Sequence, residues 1–205
     1  ARRARPGARK RAPAPGAPRQ PPGMAAPCLA SGEAVRTFLL GRWALTKTID
    51  YRVGGGQGHM SGVATFTEAQ QKSGILMYEE CGAMRLRGSS APISAYKRYC
   101  FNTNVWPVEV LFVDDPTKKH LPTLIPELDC HTSSFISLPF APPISKREPC
   151  AASFKHDCVN DVYSGSLEVA GPDMFDWNWT IAGPEKDGAI ANNYQRETEA
   201  GSSRC

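Results

Sequence analysis

FKHDCVNDVYSGSLEV, residues 154–169, leads into FDWNWTIAGPEKDGAIANNYQRE, residues 175–197. Short extended runs are broken here by Gly, Pro and Asp, and aromatic and ionisable side chains fall on alternate positions. Alternation of that kind gives a strand one apolar face. Three strands are expected, at about 154–169, 174–182 and 188–196, as the closing part of an antiparallel barrel with a polar, aromatic lining.

Working back, the same alternation recurs. Trp43, Leu45, Lys47, Ile49 and Tyr51 share a face, and so do Met60, Gly62, Ala64 and Phe66. Leu76, Tyr78, Glu80, Gly82, Met84 and Leu86 share a third. Further strands fall at about 93–101, 108–113 and 134–140, with long Pro-containing loops on either side of the last. Ser31-Gly-Glu33 reads as the cap of a short helix, Ala34–Leu40, because Ser accepts from free amides and Glu complements the positive end. Short strands in regular succession, without strand–helix alternation, give an all-β fold. Such a succession argues for an antiparallel barrel or sandwich, here of about 8–10 strands with a short N-terminal helix. Gly62, Ala64 and Gly82 on inward faces point to tight curvature.

The net charge of +4 misleads. Residues 1–32 hold seven Arg and Lys and no acid, and the remainder sets 17 basic against 20 acidic side chains, a net of −3. A nucleic-acid partner is therefore not expected, since it needs a basic face on the folded part. No run reaches the roughly 20 apolar residues that a membrane-spanning helix requires.

Residues 1–27, nearly all Ala, Arg, Pro and Gly, are expected to be disordered, as are 199–205, leaving one barrel domain over 31–198. The Arg-rich start fits an organellar transit peptide or a basic arm for an anionic partner. Met24-Ala-Ala-Pro also reads as a translation start, with 1–23 lying upstream of it. The seven cysteines are odd in number and widely spaced, without a C-x-x-C pair. Most of them read as small buried hydrophobes in a reducing, intracellular and cytoplasmic setting, with organellar import if residues 1–23 are genuine. The sequon at Asn178 lies inside a strand pattern and reads as a chance match.

Several motifs together resemble an uncharacterised lipocalin-like family, a domain of unknown function. They are Leu40-Gly-Arg-Trp43, Gly62-x-Ala64-x-Phe66, Tyr78-x-Glu80-x-Gly82 and Arg98-Tyr99, then His156-x-Cys158-x-x-Asp161-x-Tyr163, Trp179, Gly183-Pro-x-Lys186 and Tyr194-x-Arg196. The resemblance spans about 38–197. It implies a calycin-type barrel and carries no activity with it.

Glu80 is the first candidate site residue, because a carboxylate on an apolar face must be paired or protonated. Arg98 on the next strand is its expected partner; a purely internal salt bridge is the alternative to a ligand site. His156 and Cys158 share a face, with Asp157, Asp161 and Tyr163 expected opposite. With Cys130, His131 or Cys150, that pair could hold a metal, though nothing fixes that spacing, or Cys158 could act as a nucleophile beside His156, though no oxyanion element is readable. Trp179 is core or cavity wall. Lys186 is expected at the barrel mouth in a turn without phosphate-loop spacing. Arg196 could meet Glu80 or an anionic group.

Tyr78, Glu80, Arg98, His156, Tyr163, Trp179, Lys186 and Arg196 are thus the expected contacts for a small, partly apolar ligand. An acid–base enzyme of isomerase or lyase type using Glu80, His156 or Tyr163, or a filled barrel acting through its surface, are the alternatives. No cofactor and no oligomeric state can be read from the chain.

Overall fold

The computed structural model describes residues 26–69, 73–113, 132–141 and 148–197. The tails expected to be disordered lie outside these, apart from residues 26 and 27. Helix α1 spans Gly32–Leu39. The Ser31 hydroxyl accepts the Ala34 amide at 3.2 Å, so the helix begins two residues earlier than its apolar pattern suggested, and Leu40 has already left it.

Ten strands follow. They are β1 (Gly41–Val53), β2 (Gln57–Glu68), β3 (Ile75–Leu86), β4 (Ile93–Asn102), β5 (Val108–Val113), β6 (Thr132–Leu138), β7 (Cys150–Cys158), β8 (Asp161–Gly171), β9 (Met174–Ala182) and β10 (Asp187–Arg196). All pair antiparallel, in the order β6-β5-β4-β3-β2-β1-β10-β9-β8-β7. The two ends of that ladder meet at a seam. Ala141 bridges Ala151, and the His156 Nδ1–H donates to the Phe135 carbonyl at 3.0 Å. The sheet is therefore a nearly closed barrel.

The run 154–169 is not one strand. It turns back at Val159 and Asn160, where Val159 takes a φ of +57°. A β-branched residue rarely accepts that backbone, and Val in a strand-like run hides the turn. The hairpin sets His156 opposite Tyr163 and Cys158 opposite Asp161. His156 and Tyr163 therefore share a face, which corrects the opposite faces that a continuous strand would give them.

Two of the inward glycines allow a close approach of β2 and β3. Gly62 and Gly82 are register partners, and a Cβ on Gly62 would lie 2.1 Å from the Cys81 carbonyl oxygen and 2.6 Å from the Gly82 Cα.

One end of the barrel is solid. Val35, Phe38 and Leu39 of α1 are buried there with Trp43, Phe66, Phe101 and Phe175. Phe175 stands edge-on to Trp43 at 4.8 Å and stacks on Tyr194 at 4.2 Å. Burying each such ring contributes about 1.5–3 kcal/mol.

Arg196 closes this end. It pairs in register with Trp43, and its guanidinium lies 4.1 Å over the indole. It also donates to the Phe38 and Leu40 carbonyls at 2.6 and 2.9 Å and pairs with Asp173 at 3.1 Å. The helix C-terminus leaves those carbonyls without intrahelical partners, so one cation satisfies them and holds α1 on the barrel.

Cys28, Cys150 and Cys158 are free thiols, whereas Cys81 is disulfide-bonded, which stands against the reducing setting that the cysteine spacing suggested. No helix among the described residues is long and apolar enough to cross a membrane.

Candidate functional site

Away from α1 the barrel holds a cavity of about 300 Å³. Tyr99, Phe112, Phe135, Trp177 and Trp179 supply its aromatic wall, and Lys47, Glu80, Asn192 and Tyr194 supply buried polar groups. Lys97, His156, Cys158, Tyr163 and Ile190 complete the lining, with Lys97 and Cys158 exposed to solvent. Tyr99 stacks on Phe135 at 5.1 Å and Phe135 on Trp179 at 5.3 Å, so three rings from β4, β6 and β9 form one column. The Trp177 indole N–H is buried and has no hydrogen-bond partner among the described residues.

Alternation along β1 buries Trp43, Leu45 and Lys47 in turn. Lys47 therefore points into the barrel, where its ammonium forms an ion pair with Glu80 Oε1. The two residues are 7% and 4% exposed, so the pair is out of water. The second oxygen of Glu80 accepts the Tyr78 hydroxyl at 2.5 Å, and the Tyr78 and Tyr194 hydroxyls are 2.9 Å apart. Since Tyr78 donates to Glu80, its oxygen accepts from Tyr194. Both lone-pair-rich ends of the carboxylate are thus satisfied, which a buried charge requires.

Burial alone would push the Glu80 carboxyl up, but the charges of Lys47 and Lys97 hold it below its usual value. Burial also pulls the Lys47 ammonium down, against the opposing pull of Glu80. The Tyr78 and Tyr194 hydroxyls are driven well above their ordinary range, chiefly by burial, and remain protonated donors.

Arg98 is not the partner of Glu80. In register it stands opposite Glu79, with which it forms an ion pair, while Lys97 stands opposite Glu80. Neighbouring residues on a strand face opposite ways, so Lys97 and Tyr99 line the cavity and Arg98 lies on the other side.

The terminal motif forms one mechanical unit. The buried Asp161 carboxylate accepts the Glu185 and Lys186 amides at 3.1 Å each, pinning the β9–β10 turn against the start of β8. A Cβ on Gly183 would lie 2.0 Å from that carboxylate, so the turn needs glycine there. The Lys186 ammonium, held in this way, donates to the Tyr163 hydroxyl at 3.2 Å.

The family of unknown function DUF6314 matches residues 39–196, from the last residue of α1 to the arginine that clasps it. This chain belongs to that family. No curated protein matches the sequence. Among solved structures, this DUF6314 chain is similar to an S-type phycobiliprotein lyase from Guillardia theta, with 10% identity, 82% of this chain and 94% of that chain covered, and a TM-score of 0.47. It is similar too to the barrel EF1p2_mFAP2b bound to DFHBI, with 12% identity, coverage of 78% and 95%, and a TM-score of 0.33. A redesigned β-barrel, b11L5F_LGL, matches with 15% identity, coverage of 85% and 100%, and a TM-score of 0.33.

In this DUF6314 barrel, Glu80, His156, Tyr163 and Trp179 line the cavity. Tyr78 sits behind Glu80, and Lys186 reaches the site through Tyr163. Arg98 is turned away, and Arg196 lies at the helix-capped end, where its contacts are with α1, Trp43 and Asp173, not with Glu80. Of the possible metal ligands beside His156 and Cys158, Cys130 and His131 lie outside the described residues. The Cys150 sulfur is buried and accepts the Leu29 amide at 3.2 Å. Sequence reasoning passed over Lys47, Lys97, Tyr99, Phe135, Asn192 and Tyr194. Lys47 carried a signal, a lysine between Leu45 and Ile49 on an apolar face.

Proposed function

We propose that the barrel binds, in this cavity, a small, partly apolar molecule with a flat ring system and an anionic group. The observation that carries the reading is the charge of an aromatic-walled cavity, in which Lys47 and Lys97 stand against the single carboxylate of Glu80. A site that is mostly apolar with a few convergent polar groups is the usual form of a small-molecule pocket, and about 300 Å³ is at the lower end of their sizes. Glu80 neutralises Lys47, which leaves the Lys97 cation at the rim to receive a ligand anion. The ring column of Tyr99, Phe135 and Trp179 suits a planar body. The acidic balance of residues 33–205 favours a small molecule over a nucleic acid. The free thiols of Cys28, Cys150 and Cys158 are in keeping with an intracellular setting, and the bonded Cys81 counts against it.

The test is native mass spectrometry of the full chain purified from its own cells, before and after denaturation, with a titration of 2-naphthoate followed by tryptophan fluorescence. A stoichiometric small molecule released on denaturation, and saturable quenching by 2-naphthoate weakened about tenfold in Lys97→Gln, are expected. A bare polypeptide that 2-naphthoate does not quench would overturn the reading.

A further inference from the structure

Lys47 has a second feature besides its charge. It is a primary amine in a cavity, walled by rings, with a carboxylate fixed against it and a second ammonium, Lys97, lining the same space. We infer that Lys47 is a carbonyl-capturing amine, which condenses reversibly with an aldehyde or ketone group of a flat ligand held between the aromatic walls. The inference rests on the reading of the cavity as a ligand site and adds a covalent step to it.

Three observations support it. First, Lys47 is 7% exposed, so its ammonium lacks the hydration that keeps a surface lysine protonated and inert. Burial and the like charge of Lys97 favour the free amine, against the opposing pull of Glu80, and the balance lowers the ammonium below its ordinary value. Second, Glu80 is ion-paired with Lys47, and no other ammonium among the described residues hydrogen-bonds it, so one carboxylate serves Lys47 before and after condensation. Third, the Tyr78 and Tyr194 hydroxyls fix Glu80 from behind and leave it unable to swing away.

In the step itself, the Lys47 ammonium gives a proton to Glu80 and its lone pair attacks the carbonyl carbon. The carbonyl π pair moves to oxygen. That oxygen takes up two protons, one returned by Glu80 and one from the nitrogen, and leaves as water as the C=N bond forms. Ammonium plus carbonyl gives iminium plus water; the charge is unchanged, nothing is oxidised or reduced, and Glu80 ends as the carboxylate beside the iminium. Lys97, Lys155 and Lys186 have no such setting, since they are exposed and hydrated.

The experiment incubates the full chain with 2-naphthaldehyde and then sodium borohydride, which reduces any imine to a stable secondary amine, followed by peptide mapping. A saturable label approaching one equivalent at Lys47, lost in Lys47→Arg, is expected. That variant keeps a cation for Glu80 but cannot form an imine. Label confined to exposed lysines such as Lys97 and Lys155, with Lys47 untouched in the wild-type map, would overturn the inference whether or not the variant folds. The 2-naphthoate titration separates the two failures. Saturable quenching with an unlabelled Lys47 removes covalent capture and leaves the binding site standing, whereas an absence of both removes the two readings together.

Discussion

Lys47 on β1 and Glu80 on β3 are ion-paired inside the barrel, across the intervening strand β2. The pair is buried, so its net worth depends on what replaces it. Breaking a buried pair strands a charge and costs about 3–5 kcal/mol, whereas exchanging both partners for apolar groups of similar volume is often neutral. Glu80→Leu alone should therefore lower the unfolding free energy by about 3–5 kcal/mol in urea titrations. Lys47→Met combined with Glu80→Leu should lie within about 1–2 kcal/mol of the parent. A double variant as unstable as the single one would show that the Tyr78 and Tyr194 hydroxyls, not the ion pair, are what the core depends on.

The same pair sets an acid limb. The Glu80 carboxyl titrates below its ordinary value of 4.5 in the folded chain, so the unfolded chain binds more protons in that range. Its contribution is complete above 4.5 and is lost as pH falls through the depressed folded value. Lys47 acts with the same sign. Its folded value is lowered, so the burden of keeping it charged is present at low pH and eases as pH rises toward 10.5. Urea midpoints measured from about pH 7 down to about pH 3 should fall more steeply for the parent than for the Lys47→Met, Glu80→Leu double variant. Parallel curves would mean that other carboxylates govern the acid response.

Arg196 joins three elements at the capped end through two carbonyls, an indole face and Asp173. Hydrogen bonds from a charged donor are worth about 1.5–3 kcal/mol, and the ring contact about 0.5–2 kcal/mol more, partly offset here by solvent. Arg196→Met should destabilise the chain by about 2–3 kcal/mol and speed amide exchange in α1. The affinity for 2-naphthoate should stay within about twofold, because Arg196 does not line the cavity. A large affinity loss with stability unchanged would return Arg196 to the ligand contacts.

What could be read from the sequence divides along physical lines. Period-two alternation locates strands and says which side chains point inward, so the barrel, the helix cap and the inward Glu80 were all legible. Which inward residues meet depends on register. Choosing between Arg98 and Lys97 as the neighbour of Glu80 turns on a shift of one residue, which reverses every side chain. Lys47 meets Glu80 from two strands away, a pairing across the barrel interior that no local pattern announces. The role of Arg196 needed α1 docked on the barrel, a tertiary fact with no local signal. The hairpin at Val159 was hidden because Val is a strand former placed where the backbone needs positive φ, with only Asn160 to hint at a turn.

His156 joins the two sheet ends that the strand ladder leaves unpaired. Its Nδ1–H donates to the Phe135 carbonyl on β6, and its ring meets the Phe135 ring edge-on at 4.9 Å. His156→Phe keeps an aromatic ring there and removes only the donor, so it should lower stability by about 1 kcal/mol. The larger effect should be local. A seam held, among the described residues, by one side-chain bond and the Ala141–Ala151 bridge opens more readily than a full ladder, and β6 carries Phe135 in the middle of the ring column. Amide exchange in β6 and β7 should speed up while β1, β2 and β10 stay protected, and 2-naphthoate should bind more weakly as the Tyr99–Phe135–Trp179 column loosens. Uniform acceleration across all ten strands would instead make the seam a determinant of global stability. Unchanged exchange would mean that ring packing alone closes the barrel.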